Sequence, residues 1–160
     1  MASHASKEGG ARVRLPPPLV FLASIGAGVA LRYLVAPPPL PLTRAALVAV
    51  GALIVVAALA LGMAAFGWFK KTGQDPTPWK PSPELLLQGP YRFTRNPMYV
   101  SMALLQIGIG VALANLWVIV GAALSLVVVH YAAVLPEEAY LDEKFGEPYR
   151  DFKKRVRRYL

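Results

Sequence analysis

The sequence predicts an all-α integral membrane protein with four transmembrane helices and a C-terminal amphipathic cytoplasmic helix. Of its 160 residues, 56% are hydrophobic, and the mean hydropathy is +0.45, which is more apolar than is usual for a soluble domain. The apolar residues form four separate segments. The net charge of +8 is concentrated at the two ends of the chain and in one loop, as in basic segments that flank a membrane.

Composition excludes several classes of function. The sequence has neither an aromatic-basic RNA-binding run nor a zinc-finger spacing, so a nucleic-acid partner is not expected. The absence of cysteine excludes disulfides and thiolate chemistry. His4 and His130 are far apart in sequence, and no metal site is predicted. The length suits one domain.

Residues 1–14 are small, polar and basic, which predicts a disordered tail. A cleaved signal peptide is the alternative, because basic residues precede an apolar run. Three prolines open that run at residues 16–18, and Arg32 interrupts its end. No Ala-x-Ala cleavage site follows it cleanly, so an uncleaved tail is favoured.

Residues 15–160 are predicted to form a single membrane domain. A helix of about 20 apolar residues crosses a bilayer, which places the four spans at residues 19–36, 45–69, 97–114 and 116–135. Asn115 alone separates the last two, and so short a break predicts an antiparallel helical hairpin. Gly108 and Gly110 lie inside the third span, where close helix packing is their expected role.

The distribution of basic residues predicts the topology. They cluster before the first span, in loop 70–96 and after the fourth span, whereas Arg32 and Arg44 lie near the opposite boundary. The positive-inside rule places both termini and loop 70–96 in the cytoplasm. Arg32 is expected to extend its side chain to the far interface, with a buried ion pair as the alternative.

The segment 137–159 predicts an amphipathic helix that lies along the cytoplasmic face. It is expected to bend at residues 146–148, where the sequence is Gly-Glu-Pro. Tyr149 and Phe152 are expected to anchor it to the membrane. Its apolar positions recur at steps of three or four residues: Leu141, Phe145, Tyr149, Phe152, Val156 and Tyr159.

Two polar motifs flank the hairpin, GPYRFTRNPMY at residues 89–99 and Pro-Glu-Glu at residues 136–138. Each has an interpretation as a helix start. Asn96 is a favoured N-cap before a proline, and the two acidic residues would face the positive end of a helix dipole. A tight hairpin nevertheless brings Asn96 and Glu137 to the same membrane face, where charges are functional candidates.

The ligand chemistry of these motifs is mixed. Arg92, Arg95 and the free N–H groups of a helix start suit a carboxylate or a phosphate, whereas Glu137 and Glu138 suit an ammonium or a pair of hydroxyls. Faces for a purine or a cation are offered by Tyr91, Phe93 and Tyr99. S-adenosylmethionine combines all three features. An anionic lipid headgroup satisfies the first and part of the second.

His130 precedes Glu137 by two helical turns on the same face. One interpretation is a buried histidine that hydrogen-bonds across helices. The other is a pocket-lining group that donates, accepts or relays a proton. Loop 70–96 is rich in proline, and it is expected to cover the cofactor.

With these motifs, the sequence resembles the superfamily of isoprenylcysteine carboxyl methyltransferases and phospholipid N-methyltransferases. The matching positions are those of the 89–99 motif, His130, the Glu-Glu pair and a later run, Phe145-Gly146-x-x-Tyr149. The resemblance implies an integral-membrane methyltransferase that holds S-adenosylmethionine between its membrane helices and a C-terminal cytoplasmic segment. It implies catalytic roles for Asn96, His130 and Glu137. The cofactor contacts that it implies are Arg95, Asn96, Pro97, Tyr99, His130, Glu137 and Glu138.

This sequence departs from the family signature, Arg-His-Pro-x-Tyr, in having Asn96 at the histidine position. Asparagine can donate a hydrogen bond to a cofactor but cannot act as a base. Methyl transfer from a sulfonium depends largely on alignment and desolvation. A carboxylate acceptor needs no base, whereas an amine or a hydroxyl would need His130 or a glutamate. Asn96 therefore slightly favours an acceptor that arrives as an anion.

The predicted function is methyl transfer to a lipophilic small molecule or a lipid, which reaches the site from within the bilayer. The proline-rich loop 72–81 and the asparagine are similar to bacterial members, so a bacterial inner membrane is the expected location. One alternative is a non-catalytic membrane module that binds a lipid or the cofactor. A nicotinamide-dependent reductase is the other, because sterol reductases have a similar C-terminal membrane region. The oligomeric state is not predicted.

Overall fold

The computed structural model describes residues 10–77 and 79–159 of the chain. These residues form five helices, which we number in chain order. They are α1 Pro17–Leu34, α2 Arg44–Lys71, α3 Pro97–Ala112, α4 Leu116–Phe145 and α5 Glu147–Arg155. A 3₁₀ turn at Gly89–Arg92 precedes α3. No β-strand forms within the two described ranges, and the predicted all-α class is confirmed.

Three of the helices, α1, α2 and α4, are long and apolar enough to cross a membrane, by length and composition. Helix α3 has 16 residues, about 24 Å at the helical rise, against about 30 Å for the hydrocarbon core of a bilayer. The apolar windows of α1 and α2 are each 17% buried, so most of their surface faces outward. The four-span arrangement stays a prediction.

Helices α3 and α4 form the predicted antiparallel hairpin. Its turn contains Ala114, with a φ of 51°, and the fully buried Asn115. The Asn115 Oδ1 accepts a hydrogen bond from the Trp117 backbone N–H at 3.1 Å, and its Nδ2 donates to the Gly28 carbonyl at 3.0 Å. Asn115 therefore caps α4 and also fastens the turn to α1.

Two arginines bind the C-terminal end of α3. The Arg32 guanidinium donates to the Leu113 carbonyl at 3.1 Å, and that of Arg44 donates to the Ala112 carbonyl at 2.6 Å. The last carbonyls of a helix have no partner within it and carry partial negative charge. Arg32 is exposed and bonded to the backbone, so the alternative of a buried ion pair is wrong.

Gly108 and Gly110 allow α3 to approach both of its neighbours closely, as predicted. A Cβ atom at Gly108 would lie 2.9 Å from the Val55 backbone nitrogen on α2. One at Gly110 would lie 2.9 Å from the Ile119 backbone nitrogen on α4. Helix α3 accordingly packs mainly against α2 and α4, through the small residues that are usual at membrane helix crossings.

A buried polar cluster joins α1, α3 and α4 inside the bundle. The Gln106 side chain is fully buried, and its Nε2 donates to the Ser24 hydroxyl at 2.9 Å and to the Val118 carbonyl at 3.0 Å. Ser24 donates in turn to the Gly121 carbonyl at 3.1 Å, and Ser125 donates to the Gln106 Oε1 at 3.4 Å. Since hydrocarbon offers no other partner, these bonds fix the register of three helices.

Pro136 lies in the first turn of an α-helical segment, as one interpretation of its motif had it, but this segment continues α4 and is not a separate helix. The expected helix 137–159 is divided instead: its first part extends α4, and α5 follows after a break. The break lies at Gly146, with a φ of 60°, so the predicted bend is confirmed. Helix α4 consists of two α-helical parts and a π-helical turn between them: Leu116–Val129, His130–Val134 and Leu135–Phe145.

The missing N–H of Pro136 explains the π-helical turn. A proline cannot donate to the carbonyl four residues back, and its ring crowds that carbonyl, which here belongs to Ala132. The Arg14 backbone N–H donates to the Ala132 carbonyl instead, at 3.1 Å. The Leu135 N–H bonds five residues back, to the His130 carbonyl. The Ala132 carbonyl, which the proline cannot serve, therefore has a donor from outside the helix.

The predicted disordered tail is packed from residue 10 onward, so the prediction is wrong for residues 10–14. Ala11 is 3% exposed, and the Gly10 N–H donates to the Trp79 carbonyl at 3.1 Å. Residues 1–9 lie outside the described part of the chain. Both described ends therefore lie at the end of the bundle where α3 begins, which agrees with termini on one side. The membrane face to which this end belongs stays a prediction.

We expect Gln106→Leu to lower the free energy of unfolding by about 1–2 kcal/mol, because it removes interhelical hydrogen bonds at nearly constant volume. Unfolding of the purified protein in mixed detergent and SDS micelles, followed by circular dichroism, measures the change. Gln88→Leu is the matched control, since it makes the same exchange at an exposed position. Equal stability of the two variants would contradict the role given to the cluster.

Candidate functional site

A cleft opens at the end of the bundle where α3 begins. It lies between the described residues of loop 74–86, the first residues of α3, the part of α4 beyond Pro136, and α5. Its unfilled space is about 900 Å³, including the part that is open to solvent. Asn96, Pro97 and Tyr99 line it from one side, and Glu137 and Glu138 line it from another. The two sequence motifs therefore meet in one cleft.

Glu137 is a lining carboxylate that is partly buried and free to meet a ligand. The Tyr99 hydroxyl donates a hydrogen bond to it, and Tyr99 is itself buried. Among the described residues, no arginine or lysine forms an ion pair with Glu137. A positive group or a hydrogen-bond donor of a ligand would compensate this partly buried charge.

Glu138, the next residue, is held by two arginines. The Arg95 Nη2 lies 2.7 Å from the Glu138 Oε1, and the Arg158 Nη2 lies 2.8 Å from its Oε2. The Arg158 Nε donates to Oε1 as well, at 2.9 Å. The side chains of Arg95 and Glu138 are each 9% exposed. Removal of one partner from so buried a pair is strongly destabilising.

The Asn96 side chain binds the end of the chain. It stands at the predicted N-cap position, but the described structure shows no capping bond from it to α3. Its Nδ2 donates to the Arg158 carbonyl at 2.9 Å, and the Thr94 hydroxyl donates to the same oxygen at 3.1 Å. The Arg95 backbone N–H donates to the Arg157 carbonyl at 2.9 Å. The expectation that Asn96 caps α3 through its side chain is wrong.

The start of α3 consequently faces the cleft without a side-chain cap among the described residues. Met98 and Tyr99 line the cleft here. First-turn N–H groups have no partner within their helix, and the helix dipole adds partial positive charge. Pro97 occupies the first helical position, where its missing N–H is of no consequence. This side of the cleft suits a carboxylate or a phosphate.

The charged side chains in the described lining are mostly acidic. Arg95 is the one basic residue, against four acidic ones: Asp75, Glu84, Glu137 and Glu138. Arg95 is committed to Glu138 and to the carbonyls of Lys153 and Val156. Arg92 is exposed and lies outside the lining. These positions argue against the expected anion-binding role of the two arginines.

Aromatic side chains form much of the cleft wall. Tyr91 is buried, and its ring meets that of Phe69 edge to face, with centroids 6.0 Å apart. Burial raises the pKa of Tyr91, so its phenol stays protonated at neutral pH. Tyr149 and Phe152 of α5 are also buried and line the cleft, and the prediction that they anchor α5 to the membrane is wrong. Phe93, another expected site residue, is 77% exposed.

His130 lies outside the described lining of the cleft. Its Nδ1 is 2.9 Å from the Tyr159 hydroxyl oxygen. Its ring meets that of Tyr131 edge to face, with centroids 5.0 Å apart. The geometry fits a histidine that hydrogen-bonds across the fold better than a group that lines a pocket.

The described residues of loop 74–86 line one side of the cleft, where loop 70–96 was expected to cover a ligand. The Ser82 backbone N–H donates to the Tyr140 hydroxyl oxygen at 3.2 Å and so ties the loop to α4. Sequence reasoning missed Phe69 and Ala11, which also line the cleft. Neither belongs to a motif, and hydropathy alone assigns both to ordinary packing.

A family model described as phospholipid methyltransferase matches residues 42–148, a range that contains both polar motifs. A Haemophilus influenzae protein described as "Uncharacterized protein" is 35% identical over 63 residues, which are 39% of this chain and 100% of that protein. No solved structure matches the chain significantly.

We expect Glu138→Gln to lower the free energy of unfolding by about 3 kcal/mol, because it leaves a buried guanidinium without its counter-charge. Asp142→Asn is the matched control on the same helix, since its ion pair with Arg150 is exposed by 32% and 50%. That variant should lose less than about 1 kcal/mol. Unfolding in detergent micelles measures both, and equal losses would contradict a structural role for the Glu138 pair.

Proposed function

This chain belongs to the phospholipid methyltransferase family, and on that premise we propose that it transfers a methyl group from S-adenosylmethionine to a lipid or a lipophilic small molecule. The family implies a membrane methyltransferase, in agreement with three apolar helices of membrane-spanning length. One observation carries the proposal. In the described cleft, a carboxylate without an ion-pair partner, an uncapped helix start and aromatic walls meet.

The cleft fits the charges of S-adenosylmethionine. This molecule has a positive sulfur and an amino acid group that carries an ammonium and a carboxylate. Glu137 would accept hydrogen bonds from the ammonium or the ribose hydroxyls, and the N–H groups at the start of α3 would meet the carboxylate. The rings of Tyr91 and Tyr149 offer faces to a cation. When bound, the cofactor would supply a methyl group that a nucleophile can displace from the sulfur. The acidic lining favours a ligand with net positive charge.

The other residues of the predicted site take supporting roles in this proposal. Arg95, Asn96 and Glu138 line the cleft, but they bind each other or the end of the chain. Pro97 sets the start of α3. His130 is engaged with Tyr159, and no cofactor contact is proposed for it.

The cleft supports an amine or a hydroxyl as the methyl acceptor. Its described lining holds no uncommitted cation for an anionic acceptor, which argues against the slight preference drawn from Asn96. An amine or a hydroxyl must lose a proton, and Glu137, a lining carboxylate that no arginine holds, would take it. The Tyr99 hydroxyl orients this carboxylate. The apolar and aromatic walls would limit the water around the reacting groups once the ligands fill the cleft.

An apolar acceptor would reach the cleft from the bilayer. Tyr99 belongs to the cleft wall and also to a buried apolar cluster that continues into the bundle through Phe21, Val129 and Ala133. This continuity gives the cleft an apolar inner wall, which suits the hydrocarbon part of a lipophilic acceptor. The water-soluble cofactor would come from the side of loop 74–86. From the distribution of basic residues, we propose that this side of the protein faces the cytoplasm. The membrane in this proposal is the inner membrane of a bacterium.

Isothermal titration of the purified protein in micelles tests the cofactor. We expect binding of S-adenosylmethionine and none of reduced nicotinamide nucleotide. Glu137→Gln should weaken the affinity about tenfold, since one hydrogen bond to a charged group contributes about 1.5–3 kcal/mol. Glu147→Gln, whose carboxylate side chain is 71% exposed, is the matched control.

Each result of the titration has a definite meaning. No binding of S-adenosylmethionine by the wild type would remove the proposed cofactor, and binding of the nicotinamide nucleotide would favour a reductase. An unchanged affinity in Glu137→Gln would remove Glu137 from the site. Binding without methyl transfer to any acceptor would favour a non-catalytic module.

Acceptor chemistry is tested with S-adenosylmethionine labelled in its methyl group and with matched acceptor pairs in liposomes. One pair is phosphatidylethanolamine and glycerophosphoethanolamine; the other is farnesylcysteine and cysteine. We expect transfer to the lipophilic member to be at least about tenfold faster, because each buried methylene contributes about 0.8 kcal/mol. Equal rates for the tail-less member would contradict lateral access.

A further inference from the structure

The last described residues of the chain, 156–159, form a segment that we term the C-terminal strap. It runs beside residues 94–96, and an isolated parallel bridge pairs Thr94 with Arg157. Two donors converge on the Arg158 carbonyl, the Asn96 Nδ2 at 2.9 Å and the Thr94 hydroxyl at 3.1 Å. The strap is thus held by the segment that leads into α3.

The strap returns a side chain to the site. The Arg158 guanidinium forms two hydrogen bonds to the Glu138 carboxylate, at 2.9 and 2.8 Å. Arg158 is 36% exposed on its side chain, while that of Glu138 is 9% exposed. The guanidinium therefore closes the solvent side of a carboxylate whose other side is held by Arg95.

The two adjacent glutamates differ in their ion-pair partners. Glu138 has two arginine partners, whereas Glu137 has none in the described part of the chain. Withdrawal of Arg158 would leave Arg95 as the one ion-pair partner of Glu138 among the described residues, so part of the counter-charge of a buried carboxylate would be lost. The docked strap therefore helps to hold the turn of α4 on which Glu137 also lies.

We infer that Asn96 and Arg158 act together as positioning residues: Asn96 holds the strap by its Arg158 carbonyl, and the strap places the Arg158 guanidinium on Glu138. The strap thereby holds the turn of α4 that carries Glu137, the carboxylate that faces the ligand. The inference rests on the proposed function in taking that ligand to be S-adenosylmethionine. Asn96 acts in this scheme through the strap, and its own contact is with the protein.

The partner of Asn96 decides which side chains can replace it. A carbonyl oxygen accepts hydrogen bonds, so this position needs an N–H donor and not a base. Histidine also offers an N–H, which makes Asn96→His the conservative variant. Aspartate has the same size but presents acceptors that repel the carbonyl, so Asn96→Asp should release the strap.

Limited tryptic digestion of the full chain in micelles, analysed by mass spectrometry, measures strap release as cleavage after Arg155. We expect cleavage to be about threefold to tenfold faster in Asn96→Asp and Arg158→Met, as the loss of one or two hydrogen bonds implies. Asn96→His should stay within about twofold of the wild type. Arg150→Met, which removes an exposed arginine of α5, is the matched control. Wild-type protection in Asn96→Asp would overturn the inference.

The coupling of two variants in their affinity for S-adenosylmethionine supplies a readout that a general loss of stability does not imitate. Asn96→Ala and Arg158→Met should each weaken binding about fivefold to tenfold, and the double variant should weaken it no further, because both act through the strap. Multiplied effects in the double variant would overturn the coupling. If the wild type binds no S-adenosylmethionine, the proposed function fails, and the digestion decides the role of the strap by itself.

Discussion

The buried ion pairs of Glu138 hold together the end of the molecule where the cleft lies. They join three parts of the chain that are distant in sequence: Arg95 before α3, Glu138 on α4 and Arg158 in the C-terminal strap. A buried charge that loses its partner is strongly unfavourable, so these parts must dock together. The start of α3, the wall formed by α5 and the position of Glu137 all follow from that docking.

A second constraint is the need to satisfy backbone groups where water is scarce. Pro136 leaves the Ala132 carbonyl without a helical donor, and the Arg14 N–H supplies one. Arg32 and Arg44 bind the last carbonyls of α3. The opposite end of α3 differs, because its first N–H groups face the cleft without a side-chain cap in the described structure. The helix end that the protein leaves open is therefore the end at which a ligand can bind.

The distribution of charge separates topology from recognition. A chain with a net charge of +8 nevertheless has a described cleft lined by four acidic residues and one basic residue. Most of the basic residues lie in loop 70–96 and in the C-terminal segment 144–158, where they suit a cytoplasmic face. Arg95 and Arg158, which do approach the cleft, are committed to Glu138. The net negative charge of the lining therefore attracts a positive ligand such as a sulfonium.

Hydropathy and spacing in the sequence determined the all-α class, the hairpin of α3 and α4, the packing role of Gly108 and Gly110, and the meeting of the two polar motifs. These are consequences of local periodicity and of a short turn, which neighbouring residues decide. Tertiary structure decided the rest, because a side chain chooses its partner across the fold. The Asn96 amide bonds to a carbonyl 62 positions away, and Tyr149 and Phe152 bury against the cleft. A periodic apolar stripe looks the same in sequence whether lipid or protein covers it.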